Sequence, residues 1–440
     1  MPITYDSATN TITIVGTKDG QPYTFEDIYQ ADVNNGWGKF TKLSEGVYKT
    51  TAKLQFGNGT TETLFEDKAV TLIIDNVSDV NSDDVFLFKA NANVVFGEKA
   101  TSTDGFDNYQ YGCTFVIHNT LVFEWNFKAE EGSNVCLYNC AVKILANRCN
   151  IKGYFKEIKA CQFETLVRDL NGTVFEYNVI TGSRGYLENI AENVTVNDVF
   201  IKTTVEQMVW CVNNNAKFTN IRGSSANRLA NVYRLQSPNI AKFVNCKPHN
   251  WKVNWYLAEG DISGEIQRVY AVVFKVTDVN GNPLANREIK VYDKNGNKVA
   301  EAVTNSNGLT PEVEILYAKL TNPYADNTWH TFTDDDWEYF NPFTVEVYYG
   351  NELEYKGIIT ELNADMLEIP ITAKPSSVTL NDIMNKIEYI RKLFGNRWKI
   401  ENNQLLIYDD DNATVIRRYN LYDKEGNPTE VSVYDRIPTE

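Results

Sequence analysis

The sequence has no long hydrophobic run. Its longest uninterrupted apolar stretch runs only from Val269 to Phe274, whereas a membrane-spanning helix needs about 20 apolar residues. The start of the chain, from Met1 to Asp6, has neither the basic region nor the apolar core of a secretory signal. We therefore expect neither membrane insertion nor signal-dependent export.

Positive charge is also scarce. The chain has 42 Lys and Arg against 58 Asp and Glu, for a net charge of −16. Nucleic acids and anionic membranes are bound by basic surfaces, so neither is expected as a partner. The hydrophobic content of 43% is still ordinary for a chain that buries a core. Its 440 residues are enough for about three domains.

Residues typical of catalytic and metal sites are few and scattered. The three histidines stand apart from one another: His118, His249 and His330. No G-x-S-x-G motif occurs, and no Cys or His pair has zinc-like spacing. The seven cysteines fall between Cys113 and Cys246 and are expected to be reduced and buried. The acidic runs Asp334–Asp336 and Asp409–Asp411 do not match a calcium loop. We predict no catalytic residue, no metal and no cofactor.

Asparagine is abundant, with 50 of the 440 residues, and much of it recurs in one context. In 90–250, short apolar strands are interrupted by an amide or Asp that is followed closely by an apolar residue. These polar positions recur every 16–26 residues: Asn93, Asn119, Asn139, Gln162, Asn178, Asp198, Asn220 and Asn245. Asn tolerates the left-handed backbone of a tight corner, and stacked amides can hydrogen-bond to one another. The pattern predicts a solenoid of β-coils with a polar column at one corner.

This pattern, over 61–265, resembles the right-handed parallel β-helix of phage tailspikes and pectin-lyase-like enzymes. The alternative is a β-sandwich with Asn-rich hairpins, whose turns would recur about every 8–12 residues. A β-helix needs a cover over its apolar end. Residues 1–60, which read as a strand followed by a short capped helix, are predicted to be that N-terminal cap.

Residues 266–374 alternate apolar and polar side chains and contain Gly-rich turns such as Asp278–Leu284. The series of strands and turns resembles the prealbumin-like, or carboxypeptidase-regulatory-like, β-sandwich, a rigid spacer of surface and virion proteins. We expect an antiparallel, immunoglobulin-like sandwich with these strands: Val272–Asp278, Ile289–Tyr292, Phe343–Tyr349 and Leu367–Ile371. A long polar insert, 321–341, interrupts it.

Residues 375–440 begin with a predicted helix whose apolar residues are spaced 3, 4, 3 and 4 apart: Leu380, Ile383, Ile387, Ile390 and Phe394. This is a short heptad seam. It either joins copies of the chain or packs the helix on its own sheet. The β-hairpin pattern after Trp398 resembles the terminal module of tailed-phage virion proteins, which implies docking or oligomerisation, with a homotrimer as the expected state.

Two groups of residues leave the function open. Trp251, Trp255 and Tyr256 either stack on sugar rings or plug the last coil of the solenoid. The carboxylates Glu176 and Asp198 lie in different columns of the repeat, so the repeat alone does not bring them together as an acid pair.

The sequence therefore predicts an all-β protein: a right-handed parallel β-helix, an antiparallel β-sandwich, and a C-terminal helix with a β-hairpin. The resemblances imply a structural virion protein of a phage or virus, in a tail, fibre, spike or neck appendage. Such a protein assembles in the host cytoplasm with other virion proteins and attaches to a host-surface glycan. The alternatives are a glycan-binding or polysaccharide-degrading β-helix enzyme on the particle, and a cellular surface adhesin.

Overall fold

The regular structure of the chain is almost entirely β, which confirms the predicted all-β class. The structure is a computed structural model. It describes residues 2–75, 77, 82–99, 112–118, 124–144, 148–182, 185–202, 207–223, 226–374, 387–392, 397–411, 413–430 and 435–438.

The N-terminal segment consists of four strands and one helix: β1 (Ile3–Asp6), β2 (Thr11–Ile14), α1 (Phe25–Asn35), β3 (Phe40–Ser44) and β4 (Val47–Thr50). Thr24 and Asp27 form a reciprocal capping box at the start of α1, and Gly36 ends it at φ 68°. The helix buries Phe25 and Ile28. The ring of Phe25 lies 5.0 Å from that of Phe65. Helix α1 thus covers apolar side chains of the first coils.

The next part is a parallel β-helix. Its strands are β5 (Lys53–Phe56), β6 (Thr63–Asp67), β7 (Val70–Asp75), β8 (Ser82–Phe88), β9 (Ala92–Phe96), β10 (Cys113–His118), β11 (Glu124–Ala129), β12 (Asn134–Tyr138), β13 (Cys140–Ile144), β14 (Arg148–Gly153), β15 (Glu157–Lys159), β16 (Gln162–Phe163), β17 (Leu166–Leu170), β18 (Val174–Glu176), β19 (Val179–Thr181), β20 (Leu187–Glu188), β21 (Thr195–Asn197), β22 (Phe200–Lys202), β23 (Gln207–Val212), β24 (Lys217–Thr219), β25 (Arg222–Gly223), β26 (Arg228–Tyr233), β27 (Ile240–Val244) and β28 (Val253–Tyr256).

These strands form three sheets, which the chain visits in turn. Sheet 1 contains β5, β8, β11, β14, β17, β20, β23, β26 and β28, sheet 2 contains β6, β9, β12, β15, β18, β21, β24 and β27, and sheet 3 contains β7, β10, β13, β16, β19, β22 and β25. Each strand pairs in parallel with the corresponding strand of the next coil. Within a strand such as β9, alternate side chains are buried. Like side chains therefore stack inside the coils, as with the rings of Phe86 and Phe127, whose centroids are 4.3 Å apart.

The β-sandwich follows without a break. Its strands are β29 (Glu265–Thr277), β30 (Glu288–Tyr292), β31 (Lys298–Val303), β32 (Val313–Leu320), β33 (Trp329–Phe332), β34 (Glu338–Tyr339), β35 (Phe343–Tyr349), β36 (Glu352–Ile359) and β37 (Glu368–Thr372), and a 3₁₀ turn spans Asp334–Asp336. Strands β31, β30, β35 and β36 form one antiparallel sheet.

Strand β29 belongs to both domains. Its first half pairs with β27 of the β-helix, and its second half pairs with β37 of the sandwich. The predicted division between 265 and 266 thus falls inside one continuous strand. Buried side chains from Ile3 to Ala373 form one hydrophobic cluster, so the two domains share a core.

The C-terminal end of the β-helix is filled by tryptophans. Trp251 and Trp255 are buried, with Trp251 5.8 Å from the ring of Trp337. The guanidinium of Arg268 lies 4.2 Å from the ring of Trp251. Of the two predicted roles for Trp251 and Trp255, the structure shows the plug. Tyr256 faces the other way and is described below.

The C-terminal unit contains helix α2 (387–392) and the strands β38 (Trp398–Glu401), β39 (Gln404–Tyr408), β40 (Val415–Tyr422) and β41 (Asp435–Pro438). The four strands pair in order as one antiparallel sheet, which extends the predicted hairpin. The turn at Asp423 repeats a sandwich turn, because Asp423 and Asp293 each accept a backbone hydrogen bond from the Asn four residues later.

Candidate functional site

The corner between sheets 2 and 3 carries a column of residues in the left-handed conformation, with φ between 51° and 58°: Asn139, Ala160, Tyr177, Asp198, Asn220 and Asn245. Four of these are members of the predicted polar column. The amide of Asn220 donates to Oδ1 of Asn197 in the preceding coil (3.1 Å). The column closes each coil tightly, and its role is structural.

The remaining predicted column residues lie elsewhere. Gln162 begins strand β16, and Asn178 follows the corner residue Tyr177. Asn93 lies within β9, where its Oδ1 accepts a hydrogen bond from the amide of Asn134 (2.9 Å). Asn119 lies outside the described residues. The predicted polar column differs from the observed corner at Ala160 and Tyr177, because the corner also accepts residues that carry no amide.

The residues just after the corner point inward and form a second column. Asn178 is fully buried there: its Oδ1 accepts from the backbone N–H of Cys161 (2.9 Å), and its amide donates to the carbonyl of Ile158 (2.8 Å). Cys140 lies in the same column, and its backbone N–H faces the Sγ of Cys161 at 3.4 Å. All seven cysteines are free, and burial raises the pKa of Cys246 to about 12. Burial likewise raises the pKa of Cys140 and Cys149, so these three thiols are core groups rather than nucleophiles.

The outer face of sheet 2 carries a network of ion pairs. Nζ of Lys159 lies 3.1 Å from Glu176 and 3.9 Å from Glu157, whose other oxygen accepts from the hydroxyl of Tyr138 (2.5 Å). The Tyr138 hydrogen bond lowers the pKa of Glu157. Burial alone would lower the pKa of Lys159, but the ion pair with Glu176 raises it. Glu157 therefore stays ionised and Lys159 stays protonated at neutral pH, so neither is suited to exchange a proton as a general acid or base.

Asp198 is the acid of the corner column, and its surroundings shift its pKa upward. Burial raises its pKa, Arg222 and the amide of Asn220 oppose this, and the charge of Glu176 adds to the rise. A carboxyl group with a raised pKa beside an ionised carboxylate is the pairing used in glycoside hydrolysis. Glu176 thus influences the pKa of Asp198, although the two carboxylates belong to different columns of the repeat.

Two of the three histidines contact an acid. His118 lies 3.5 Å from Asp75, and His330 lies 3.0 Å from Asp326. The ring of His330 also stacks on Tyr324 (4.4 Å) beside a cavity of about 420 Å³. Within the described residues, no group of three or more His, Cys, Asp or Glu is placed to hold a metal ion.

The predicted C-terminal seam is described in part. Ile387 and Ile390 lie in helix α2 and are 55% and 52% exposed. Leu380, Ile383 and Phe394 lie outside the described residues. The two visible seam residues therefore present apolar surface to solvent.

The outer face of sheet 1 carries an aromatic cluster of five rings: Tyr186, Trp210, Tyr233, Tyr256 and Trp329. Tyr233 and Tyr256 are register partners on β26 and β28 and stack at 5.2 Å with an 11° angle between their planes. Trp210 lies 6.5 Å from Tyr186. Tyr233 is 44% exposed and Trp329 is 42% exposed. The cluster therefore places large apolar rings in contact with solvent.

Trp329 reaches the cluster from the polar insert of the sandwich. Strand β33 pairs antiparallel with β28 so that Trp329 lies opposite Tyr256. Its ring centroid lies 5.6 Å from Tyr256, 6.2 Å from Tyr233 and 6.2 Å from Trp210. The insert 321–341 thus completes a surface that the β-helix begins.

Polar groups surround the rings and hold them in place. Oδ1 of Asn327 accepts from the hydroxyl of Tyr256 (3.4 Å) and from the backbone N–H of Glu259 (3.1 Å). Arg234 forms two hydrogen bonds with Asp261, at 3.0 and 3.1 Å. The Arg234 pair lowers the pKa of Asp261 to about 2. The rings are positioned by strand pairing and rimmed by polar groups, so the surface is arranged before any partner arrives.

Sequence reasoning identified only Tyr256 of this cluster. A signal was present: Tyr186, Trp210, Tyr233 and Tyr256 follow one another at 24, 23 and 23 residues, the length of one coil. Nothing in the sequence pairs Trp329 with them, because it is placed by the register between β33 and β28.

Two further findings concern the chain beyond these individual sites. In the described residues, every helix is too short or too polar to cross a bilayer. Comparison of the chain with protein-family models, with curated proteins and with solved structures finds no match.

Proposed function

We propose that this chain is a structural protein of a phage or virus particle, in a tail, fibre, spike or neck appendage, and that it acts in assembly and host attachment. The observation that carries the attachment role is the solvent-exposed aromatic cluster on a rigid β-helix face. Contiguous exposed apolar surface rimmed by polar groups marks interaction sites in folded proteins.

The shared core supports the structural role. Every inner coil is hydrogen-bonded to the coil before it and the coil after it. Strand β29 continues the stack into the sandwich. A force applied to one domain would therefore be carried to the other through a continuous hydrogen-bonded strand rather than through a flexible linker.

The proposed structural role can be tested directly on purified phage or virus particles. Mass spectrometry of purified particles from the organism that encodes the chain is expected to detect it at a copy number typical of an appendage protein. Recovery of the chain only from the cell envelope would contradict the proposal and favour the cellular adhesin.

Assembly is proposed to occur through copies of the chain, with a homotrimer as the expected state. The exposed Ile387 and Ile390 support this, because a heptad seam that faces solvent in one copy is satisfied by a second helix. Sedimentation of the full chain should give three times 50.1 kDa. The double substitution Ile387→Glu and Ile390→Glu should give the monomer mass, whereas Val33→Glu, at an exposed position of α1, should not.

A polysaccharide-degrading activity is the second candidate, favoured by the raised pKa of Asp198, to which the charge of Glu176 contributes. The test is release of reducing ends from host polysaccharide by the purified chain. Activity that Asp198→Asn abolishes would establish the enzyme. Equal release by both proteins would assign it to a contaminant.

A further inference from the structure

We infer that the partner of the aromatic cluster is a polysaccharide, bound with its sugar rings stacked on Trp329 and Tyr233. This inference rests on the proposed attachment function and names the chemistry of the receptor. It follows from the composition of the cluster, its charge and its geometry.

The composition of the surface argues against a protein receptor. In the described part of 61–265, the exposed large apolar side chains are Tyr233 and Ile262, and Ile262 lies in the turn after β28. A stable protein interface buries about 800 Å² on each partner, with an apolar centre. The cluster offers aromatic rings with little aliphatic surface around them, which is too small a centre for such an interface.

Charge argues against a nucleic acid, which also stacks on aromatic rings. Binding to its phosphates needs basic residues. The rim of the cluster instead contains Asp261, whose charge is balanced by Arg234, and the exposed Glu259. The chain as a whole carries −16. These three rim residues together carry a net negative charge, which does not favour a phosphate backbone.

Sugar rings fit both features of the site. A pyranose ring has a flat face of C–H groups, which packs on an aromatic ring, and hydroxyl groups at its edge, which need hydrogen-bond partners. The rim supplies the exposed side chain of Asn327 and the guanidinium of Arg234, which is half-exposed although it is bonded to Asp261. A sugar can therefore bury its apolar face on the rings while its hydroxyls meet polar groups at the rim.

The relative position of the two exposed rings indicates a chain rather than a single sugar. The centroids of Tyr233 and Trp329 are 6.2 Å apart, and their planes are inclined at 36°. One flat ring cannot lie parallel to both surfaces, whereas neighbouring units of a chain are inclined to each other. The site is therefore built for at least two consecutive units.

The test uses the full purified chain and envelopes of the cells that the particle infects. One batch of envelopes is treated with periodate, which cleaves vicinal diols of sugars, and another with proteinase. Binding is expected to be lost after periodate and retained after proteinase. Loss after proteinase with retention after periodate would overturn the polysaccharide while leaving an attachment role. Absence of binding to untreated envelopes would overturn both the attachment role and the polysaccharide, independently of whether the chain occurs in particles.

Two variants test whether the aromatic cluster is the binding site. Trp329→Ala should weaken envelope binding by about tenfold or more, the cost typical of truncating an aromatic anchor. Tyr349→Ala is the matched control, because Tyr349 is 52% exposed and lies in the β-sandwich, outside both the cluster and the C-terminal unit. Circular dichroism must show the same melting transition in both variants. Equal affinities for the two variants would place the receptor site elsewhere and refute the inference.

Discussion

Sheets 1 and 2 of the β-helix are built from the same coils, yet their outer faces differ in one respect. On sheet 2, charged side chains find partners within the chain, as Lys159 does with Glu176 and Glu157. On sheet 1, the rings of Tyr233 and Trp329 remain exposed although other rings contact them. Stacking of the coils restricts the residue type at inner positions of every sheet, whereas it leaves the residue type at outer positions unrestricted. A face whose charged groups are already paired thus serves stability, and a face with exposed rings is available to a partner.

The largest effect should come from a polar residue inside the coils, which belongs to neither outer face. Asn178→Ala removes two buried hydrogen bonds, to Cys161 and Ile158. Each buried group left unpaired costs about 1–3 kcal/mol, so the free energy of unfolding should fall by roughly 2–5 kcal/mol. Urea unfolding followed by tryptophan fluorescence and by far-ultraviolet circular dichroism should shift together. Asn193→Ala, at an exposed amide, is the control, and equal losses in both variants would show that the buried amide has no special role.

How far the sequence predicts this architecture depends on which side chains carry the signal. Asn139, Asp198 and Asn220 occupy the left-handed corner, where their residue type is favoured by backbone conformation. That signal is local, so it can be read from the sequence. Ala160 and Tyr177 occupy the same corner because the stacked coils impose the conformation whatever the side chain.

The aromatic cluster was harder to predict from the sequence, for two different reasons. Tyr186, Trp210, Tyr233 and Tyr256 repeat at the coil length, but their repeat is hidden among the buried aromatics of the core. Trp329 belongs to no repeat, since it enters through pairing between distant strands. Sequence periodicity reveals the coils, whereas a surface shared by two domains depends on tertiary register.

The second prediction tests the paired face of sheet 2 through pH. The hydrogen bond from Tyr138 lowers the pKa of Glu157 in the folded chain. Ionised Glu157 therefore stabilises the fold at pH values above its unfolded pKa of about 4.3, and this contribution is lost as the pH falls through the lower folded pKa. Glu157→Gln should cost roughly 1–2 kcal/mol at pH 7 and progressively less in acid.

Urea titrations of wild type and Glu157→Gln at several pH values measure this difference. Glu131→Gln, at an exposed position, should show no comparable pH-dependent loss. A difference between Glu157→Gln and wild type that stayed constant down to acid pH would mean that the carboxylate charge does not support sheet 2.

A smaller effect is expected where sheet 2 meets the sandwich. Lys217 and Lys242 are register partners on β24 and β27, and Glu314 of β32 lies 2.6 Å from the first and 3.3 Å from the second. Glu314→Gln leaves two like charges opposed, which should cost about 0.5–1 kcal/mol and less at high salt. Thermal unfolding at low and high salt tests this, with Glu312→Gln as the exposed control. A loss that did not depend on salt would exclude charge repulsion as its cause.

The smallest effect on stability is expected on sheet 1. It shows whether the exposed rings of sheet 1 serve binding rather than stability. Tyr233→Ser removes an exposed ring that stacks on Tyr256, a cross-strand contact whose loss should cost less than about 0.5 kcal/mol. Envelope binding should nevertheless fall, because the same ring forms the proposed contact with sugar. Ile262→Ser, which removes the other exposed large apolar side chain in the described part of this domain, should change neither quantity. If Tyr233→Ser destabilised the chain as much as Glu157→Gln, the rings would be a structural part of sheet 1, and the two faces would serve the same purpose.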